Sequence, residues 1–318
     1  MLTKSFCVVL LLLSAGALAQ SEYPIRPVTM VVVTAPGGGM DITARALADG
    51  LGRKLGQTFV VENRPSAGGV AAAEYVARSS ADGYTLLMGG NSTHSASPHL
   101  FRSIKYDPIR DFKPVARLAT AGAVILVSSK SHLHSTADLL REAKASPDRF
   151  NYGSPNPGGQ IVGEKIKRSA GIQMLRVPYR GTPQAITDVI AGTITLTVAD
   201  AAAALGALTS GQVRALAISS AQRSMLLPAV PTLQEQGFAD FDVTYWNGMF
   251  APAATPVEVV TKLAEALREL LQDETIRERI ITAGLDPAYL AHDQMDAYVQ
   301  TQLSRWGNFI REAGIEPN

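Results

Sequence analysis

The pattern that most constrains this chain is an apolar run, followed by a turn rich in proline and glycine and then by an amphipathic segment. It first occurs where the β-branched run Thr29–Val33 meets the turn Thr34–Arg45. The run is typical of a buried strand. The segment after it has helical spacing, with apolar residues at Ile42, Ala46, Leu47, Leu51 and Leu55. This order of elements predicts an α/β protein.

The first turn places free backbone N–H groups at the start of a helix, where an anion is stabilised. Asp41 stands at an N-cap or first-turn position, so we expect it to satisfy part of that positive end internally. The turn lacks the Lys-Ser/Thr pair of a P-loop and the spacing of a dinucleotide fingerprint. Taken alone, it is more typical of a structural βα turn than of a ligand loop.

The same pattern returns further along the chain. The predicted strand Tyr84–Met88 ends in the small, polar run Gly89–His94, and in the second half the strand Asn151–Gly153 leads into the turn Ser154–Gln160. Ligands of open α/β sheets lie at the carboxyl ends of strands. We therefore expect turns from the two halves to face each other across a cleft and to hold two negative groups.

Several further elements have recognisable ends. Ser135 and Thr182 are predicted N-caps, the second with Pro183 at the first helical position. Phe112–Leu118 is predicted to lead toward another strand, and Val124–Ser128 is predicted as a strand. The remaining predictions are a strand returning to the first half, Asp242–Phe250, and helices packed on that half at Val257–Leu271, Asp273–Thr282 and Met295–Ala313.

The segment Met1–Ala19 is typical of a secretory signal peptide. It has one cation, Lys4, an apolar core at Phe6–Leu13 that is too short to span a membrane, and small residues that predict cleavage after Ala19. Cleavage would remove Cys7, the only cysteine, so the mature chain is expected to have neither disulfides nor a thiol nucleophile. The predicted product is a soluble, exported protein in the periplasm.

Charge and length limit the partners and the domain count. The 29 Lys and Arg less Lys4 leave 28, which balance the 28 Asp and Glu. A neutral protein has no electrostatic footprint for nucleic acid or for an anionic membrane, so neither partner is expected. A mature chain of about 300 residues is longer than one core usually accommodates, which favours two domains.

An ordered set of motifs over essentially the whole mature chain resembles the substrate-binding receptors of bacterial tripartite tricarboxylate transporters, the TctC-like or Bug receptors. The motifs are Pro36–Asp41, Val61–Gly69, Asp82–Leu87, His99–Phe101 with Tyr106–Phe112, Val177–Gly181, Ser210–Ala217 and Phe250–Pro256. The resemblance implies a type II, Venus-flytrap periplasmic binding protein, with a ligand cleft between two α/β domains, each a mixed sheet flanked by helices. Residues 20–121 plus 241–318 would form domain I, and residues 122–240 domain II.

The resemblance also implies site residues. Receptors of this family hold carboxylates largely through backbone N–H groups and ordered water, in loops similar to two in this chain. The matching positions of the first loop are Pro36, Gly37, Gly38, Gly39 and Asp41, and those of the second are Ser154, Asn156, Gly158 and Gly159. Further matching positions are Asn91, Ser92, Thr93, Tyr179, Arg180 and Asp200.

Three of these implications stay open. Asp200 would meet a ligand ammonium or hydroxyl, or would simply cap a helix at Ala201. Arg180 is either a direct carboxylate partner or a solvated side chain at a turn. The run Ala199–Ala202 replaces a bulkier, more polar run, which would admit a larger ligand or reflect packing with no effect on specificity, so the effect of the alanine-rich run Ala201–Ala204 on pocket size stays open.

The sequence disfavours an enzyme. His94, His99, His132 and His134 are the candidate zinc ligands, but no Cys, and no Glu at helical metal-ligand spacing, accompanies them. Ser154 lies between a glycine and a proline rather than in a nucleophile elbow. Tyr245 and Trp246 are more typical of a core or a cleft wall than of a cofactor stack. A hydrolase or lyase is thus the weaker alternative, and we expect no cofactor and no metal.

The predicted function is that of a monomeric solute receptor that closes on a small carboxylate and delivers it, in transient contact, to the permease subunits of a tripartite transporter. A receptor that feeds a sensor kinase uses the same binding physics and is the alternative. The sequence leaves open which carboxylate is bound.

Overall fold

The computed structural model describes residues 23–318. The predicted signal peptide and its cleavage site lie outside this range. The strands are β1 (Val28–Val32), β2 (Phe59–Asn63), β3 (Thr85–Gly90), β4 (Phe112–Ser128), β5 (Asn151–Ser154), β6 (Leu175–Pro178), β7 (Leu196–Asp200), β8 (Val213–Ile218), β9 (Thr244–Pro252) and β10 (Asp286–Ala291).

The helices alternate with these strands, as the sequence pattern predicts. They are α1 (Gly39–Leu55), α2 (Val70–Ala77), α3 (Ser97–Leu100), α4 (Thr136–Ala145), α5 (Pro157–Ala170), α6 (Thr182–Ala191), α7 (Ala201–Thr209), α8 (Val257–Leu270), α9 (Glu274–Thr282) and α10 (His292–Glu312). A single π-helical segment, Asn91–Ala96, follows β3. Within the described part of the chain, no helix combines the length and the hydropathy that a bilayer span requires.

β4 is the central element of a mixed sheet. In the first half of the chain β2, β1 and β3 run parallel, and β9 joins β3 to β4 in antiparallel pairing. The first part of β4 pairs with β9 and β10, and its last part pairs with β7 and β8. β5 and β6 extend the sheet beyond β7 in parallel pairing. One strand thus belongs to both halves of the protein.

The chain passes between the halves a second time just before β9, and a buried serine holds the two passages together. Ser219 Oγ accepts a hydrogen bond from the N–H of Ala123 and donates one to the carbonyl of Val243, each at 2.9 Å. The backbone of Ser219 also bonds to both residues. The boundaries of domains I and II stay a prediction, but this is where they were expected.

Several predictions of elements were wrong. The strand expected at Val124–Ser128 begins much earlier, at Phe112, because the residues before it pair with β9 up to Gly122 and with β7 from Ala123. Strand β10 was not predicted, since it contains Pro287 and is half-buried throughout, without the apolar alternation that marks a strand. The N-cap of α6 is the extended residue Gly181 rather than Thr182. Ser135 does cap α4, as predicted.

Helix α10 packs on both halves rather than on the first alone. Met295 and Val299 belong to the core around β1, β3 and α1, as expected. The last turns instead carry Trp306, Phe309 and Ile310 into the core built by the last part of β4 and α5. The register of the helix explains the difference, because these aromatic and branched residues recur three or four positions apart and form one stripe that extends past the first core.

Candidate functional site

The carboxyl ends of β1 and β3 bring the first two predicted loops together. The strands are parallel neighbours, so the turn at Pro36–Gly39 and the segment that starts at Asn91 leave the same edge of the sheet. Residues 35–38 are exposed, while Asn91 and Ser92 are half-buried. The Thr34 hydroxyl and the Asn91 side-chain oxygen are buried, yet neither has a hydrogen-bond partner in residues 23–318. Two buried polar atoms at one strand edge are suited to a polar ligand.

The Asp41 side chain is buried under the glycine turn and does not point out from the carboxyl edge of the sheet. Its carboxylate accepts hydrogen bonds from the Gly37 N–H at 2.9 Å and from the Asn63 amide at 2.8 Å, and it forms an ion pair with Arg45. Burial opposes ionisation, but the bonds from Arg45, Gly37 and Asn63 outweigh it and lower the pKa of the Asp41 carboxyl. The prediction that Asp41 satisfies part of this turn internally is confirmed. Because the Gly37 N–H donates to Asp41, it is not available to a ligand.

Thr93 also faces inward. Its side chain is fully buried, and its hydroxyl accepts a hydrogen bond from the Gly90 N–H at 3.0 Å and bonds to His94 Nδ1 at 2.8 Å. The Tyr106 hydroxyl donates to the Thr93 carbonyl at 2.7 Å. The structure therefore places the backbone of the π-helical segment at the edge, and uses this side chain to fix its first turn.

The second loop presents the start of α5. Asn156 is the N-cap, and its side chain accepts a hydrogen bond from the Gly159 N–H at 2.8 Å. Since Pro157 has no N–H, Gly158 supplies the one first-turn donor without an acceptor inside the helix. Ser154 is buried and accepts a bond from Arg176 Nε at 2.8 Å, so its hydroxyl is already engaged.

The turn before α6 places its two predicted site residues differently. The Tyr179 hydroxyl donates to Asp188 on α6 at 2.7 Å, and partial burial together with the Asp188 charge raises the pKa of Tyr179 to about 12. Its side chain is thus turned toward α6. Arg180 is exposed and makes no hydrogen bond or ion pair with residues 23–318, so its role as a carboxylate partner stays a prediction.

Asp200 occupies the N-cap position of α7, as one alternative predicted, but its side chain makes no capping hydrogen bond. The residue is exposed to solvent, while the protein on its other sides desolvates the carboxyl and raises its pKa. Tyr245, read from sequence as core or cleft wall, lies close by. A methyl group on Gly158 would be 2.4 Å from the Tyr245 hydroxyl oxygen. No periodicity signals this neighbour, because it comes from strand pairing.

One of the alanines after Asp200, Ala202, lies in a close contact. A Cβ on Gly284, in the turn before β10, would lie 2.6 Å from the Cβ of Ala202. Beside this contact, Asp286 Oδ1 accepts hydrogen bonds from the Met225 N–H at 2.6 Å and from the Ser224 hydroxyl at 3.2 Å. The absence of a side chain at Gly284 therefore allows two backbone segments to approach at Ala202.

The histidines do not gather. His94 is buried among aromatic rings, His99 bonds to the Leu303 carbonyl, and His132 pairs with Glu142 on the surface. Among residues 23–318, no three His, Cys, Asp or Glu side chains lie together as metal ligands do. A surface depression of about 770 Å³ lies at the amino ends of β1 and β3, lined by Arg26, Glu74, Tyr75, Arg78, Asp82 and Tyr84. It is at the opposite edge of the sheet from the predicted loops.

Comparison with known proteins gives a consistent result. A family model described as "Tripartite tricarboxylate transporter family receptor" matches residues 43–315. Protein BugT of Bordetella pertussis is 33% identical over 305 residues, which cover 95% of this chain and 94% of that protein. The solved structure of R. palustris Rpa4515 with adipate is 32% identical, with a TM-score of 0.79, over 93% of this chain and 100% of that one. MatC (Rpa3494) from Rhodopseudomonas palustris with bound malate is 31% identical, with a TM-score of 0.72, over 91% and 100%.

Proposed function

Because the chain belongs to the tripartite tricarboxylate transporter receptor family, we propose that it binds a small carboxylate at the strand edge described above and delivers it to the permease subunits of such a transporter. Family membership and the likeness to periplasmic binding proteins confirm the predicted fold class, and with it a solute receptor rather than an enzyme. The relatives with adipate and malate support a carboxylate as the ligand.

The observation that carries the proposal is the pair of unsatisfied buried oxygens, Thr34 Oγ1 and Asn91 Oδ1, beside the glycine turn that starts α1. No side chain caps this helix at Gly38, so N–H groups of its first turn remain available to an anion. The Thr34 hydroxyl can donate to a carboxylate oxygen. The Asn91 amide, turned about its terminal bond, can donate as well.

In this proposal the ligand lies between two lobes, residues 20–121 plus 241–318 and residues 122–240, with the start of α5 facing the start of α1. A ligand that contacts both lobes stabilises the closed form in proportion to its differential affinity for that form. The same proposal includes export to the periplasm with cleavage after Ala19, and function as a monomer.

The first test is a thermal-shift screen of the chain from Gln20 onward against mono-, di- and tricarboxylates with their matched amides. A ligand at about 100 times its dissociation constant adds about 2.7 kcal/mol to the free energy of unfolding, which raises the melting temperature measurably. A shift that is lost with the amide supports a carboxylate receptor. A flat response to all acids, with a shift from sugars or phosphates, contradicts the ligand class.

A pair of threonine variants tests the site itself. Thr34→Val replaces the unsatisfied hydroxyl by a methyl group of the same shape, so we expect the free protein to be as stable as wild type or more stable, while the affinity for the carboxylate falls about tenfold. Thr43→Val is the matched control, because the Thr43 hydroxyl is also buried and unsatisfied but lies inside α1. Titration calorimetry and urea unfolding separate the two effects. Equal affinities of both variants would exclude Thr34 from the site.

A further inference from the structure

The register of the sheet brings Tyr245 and Asp200 to one face across β4. Tyr245 of β9 pairs with Ala121, and Asp200 of β7 pairs with Ala123 on the opposite side of β4. Residues two apart on a strand point to the same face, and directly paired residues of neighbouring strands share that face. The two polar side chains therefore flank a strip of β4 that carries only the methyl groups of Ala121 and Ala123.

The start of α5 covers the same space. The Tyr245 hydroxyl lies against Gly158, where any side chain would collide with it, and a Cβ on Gly159 would be 3.3 Å from the carbonyl of Val198 on β7. The Gly158 N–H is the first-turn donor that has no acceptor inside the helix. A phenol hydroxyl, a carboxyl group and a backbone N–H thus border one small region.

The polar side-chain groups of Tyr245 and Asp200, a hydroxyl and a carboxyl, have no hydrogen-bond partner in the described part of the protein. The Tyr245 ring packs on Trp306 of α10 at a centroid distance of 5.6 Å, which fixes its position. Burial and the nearby charge of Asp200 raise the pKa of the Tyr245 hydroxyl, so it remains a neutral donor and acceptor.

We propose that Tyr245, Asp200 and Gly158 form a subsite for a hydroxyl group on the ligand, distal to the carboxylate held at the first turn. A hydroxyl donates to the Asp200 carboxylate and accepts from the Tyr245 hydroxyl or the Gly158 N–H, and so satisfies groups of both kinds. A second carboxylate is repelled by Asp200. An ammonium would pair with Asp200, but it cannot accept a hydrogen bond and so leaves the Gly158 N–H unsatisfied. This inference rests on the proposed function and narrows it to hydroxyl-bearing carboxylates.

The test compares straight-chain acids of four to six carbons whose far end is a hydroxyl, a methyl, an amine or a second carboxylate, by titration calorimetry on the wild-type protein. The ω-hydroxy acid is expected to bind at least tenfold more tightly than the unsubstituted acid of the same length. Equal affinities for those two acids, or tighter binding of the amine or the diacid, would overturn the subsite. If no acid in this panel binds, the subsite is contradicted, whereas the proposed function fails only if the mono-, di- and tricarboxylates of the thermal-shift screen also give no shift.

Variants then test whether Tyr245 and Asp200 cause the tighter binding of the ω-hydroxy acid. Tyr245→Phe keeps the ring on Trp306 and removes the hydroxyl, so the advantage of the ω-hydroxy acid should fall about fivefold while the affinity for the unsubstituted acid stays unchanged. Asp200→Asn should reduce that advantage and improve binding of the diacid. Tyr75→Phe, at an exposed tyrosine remote from the site, is the control and should leave both affinities as they are. An unaltered preference in the first two variants contradicts the inference, and far-UV circular dichroism verifies that each variant is folded.

Discussion

Acid should destabilise this protein through one buried imidazole. His94 is fully buried, its ring stacks on Phe250 at a centroid distance of 3.7 Å, and Phe112 lies edge-on at 4.8 Å. Its Nδ1 bonds to the Thr93 hydroxyl, whereas Nε2 has no partner in residues 23–318. Burial without a compensating carboxylate lowers the pKa of His94 to about 3.

The lowered pKa of His94 makes the folded protein less stable in acid. In the unfolded chain the histidine titrates near its ordinary pKa of about 6.5, so below that pH the unfolded state binds the proton that the folded state refuses. The contribution of the neutral His94 to the free energy of unfolding is fully present above pH 6.5 and is lost as the pH falls toward 3. Between pH 7.5 and pH 5 the loss amounts to about 2 kcal/mol.

Urea unfolding of the wild type and of His94→Gln at pH 7.5, 6 and 5 measures this directly. His94→Gln should be less stable at pH 7.5, because the stacking is lost, but its free energy of unfolding should fall by about 2 kcal/mol less than that of the wild type between pH 7.5 and 5. Asp200 and Asp286 have raised pKa values and so act in the opposite direction, but they do so equally in both proteins. His134→Gln, at an exposed histidine, is the control. Parallel pH profiles for the wild type and His94→Gln would refute the reasoning.

Two further substitutions test the connection between the halves. Ser219→Ala removes the side-chain hydrogen bonds to Ala123 and Val243 and leaves a buried N–H and a buried carbonyl unpaired, so the free energy of unfolding should fall by about 1–3 kcal/mol. Ser304→Ala, at an exposed serine, is the control and should cause no measurable change in urea unfolding. Equal stabilities of the two variants would show that Ser219 does not connect the halves. Gly284→Ala places a Cβ on a residue with a φ of +82° and 2.6 Å from the Cβ of Ala202, so the free energy of unfolding measured in urea should fall by at least about 1 kcal/mol. Gly206→Ala, in open space on α7, is the control and should be neutral or stabilising. A harmless Gly284→Ala would show that the contact with Ala202 is loose.

Local patterns were sufficient for much of the fold. The turn before α1 and the start of α5 lie where the sequence placed them, because an apolar run that ends in Pro and Gly has few ways to continue. The internal role of Asp41 was also predicted from its position in the first turn.

Pairing between distant strands was the part that sequence periodicity could not supply. The continuity of β4 depends on β9 and β7 meeting it at adjacent residues, and strand β10 depends on an edge that only β4 provides. The same reason hid Tyr245, whose neighbours Gly158 and Asp200 come from other strands and turns. Tyr179, in contrast, was placed at the ligand by its motif, while its hydroxyl is held by Asp188.

The division of α10 between two cores sets an order for folding during synthesis. The core around α5 lacks Trp306, Phe309 and Ile310 until the last turns of α10 have been made. Domains normally fold from the amino-terminal end as the ribosome proceeds. In this protein the second core depends on residues of α10, so an emerging chain cannot complete that core before α10 has been made.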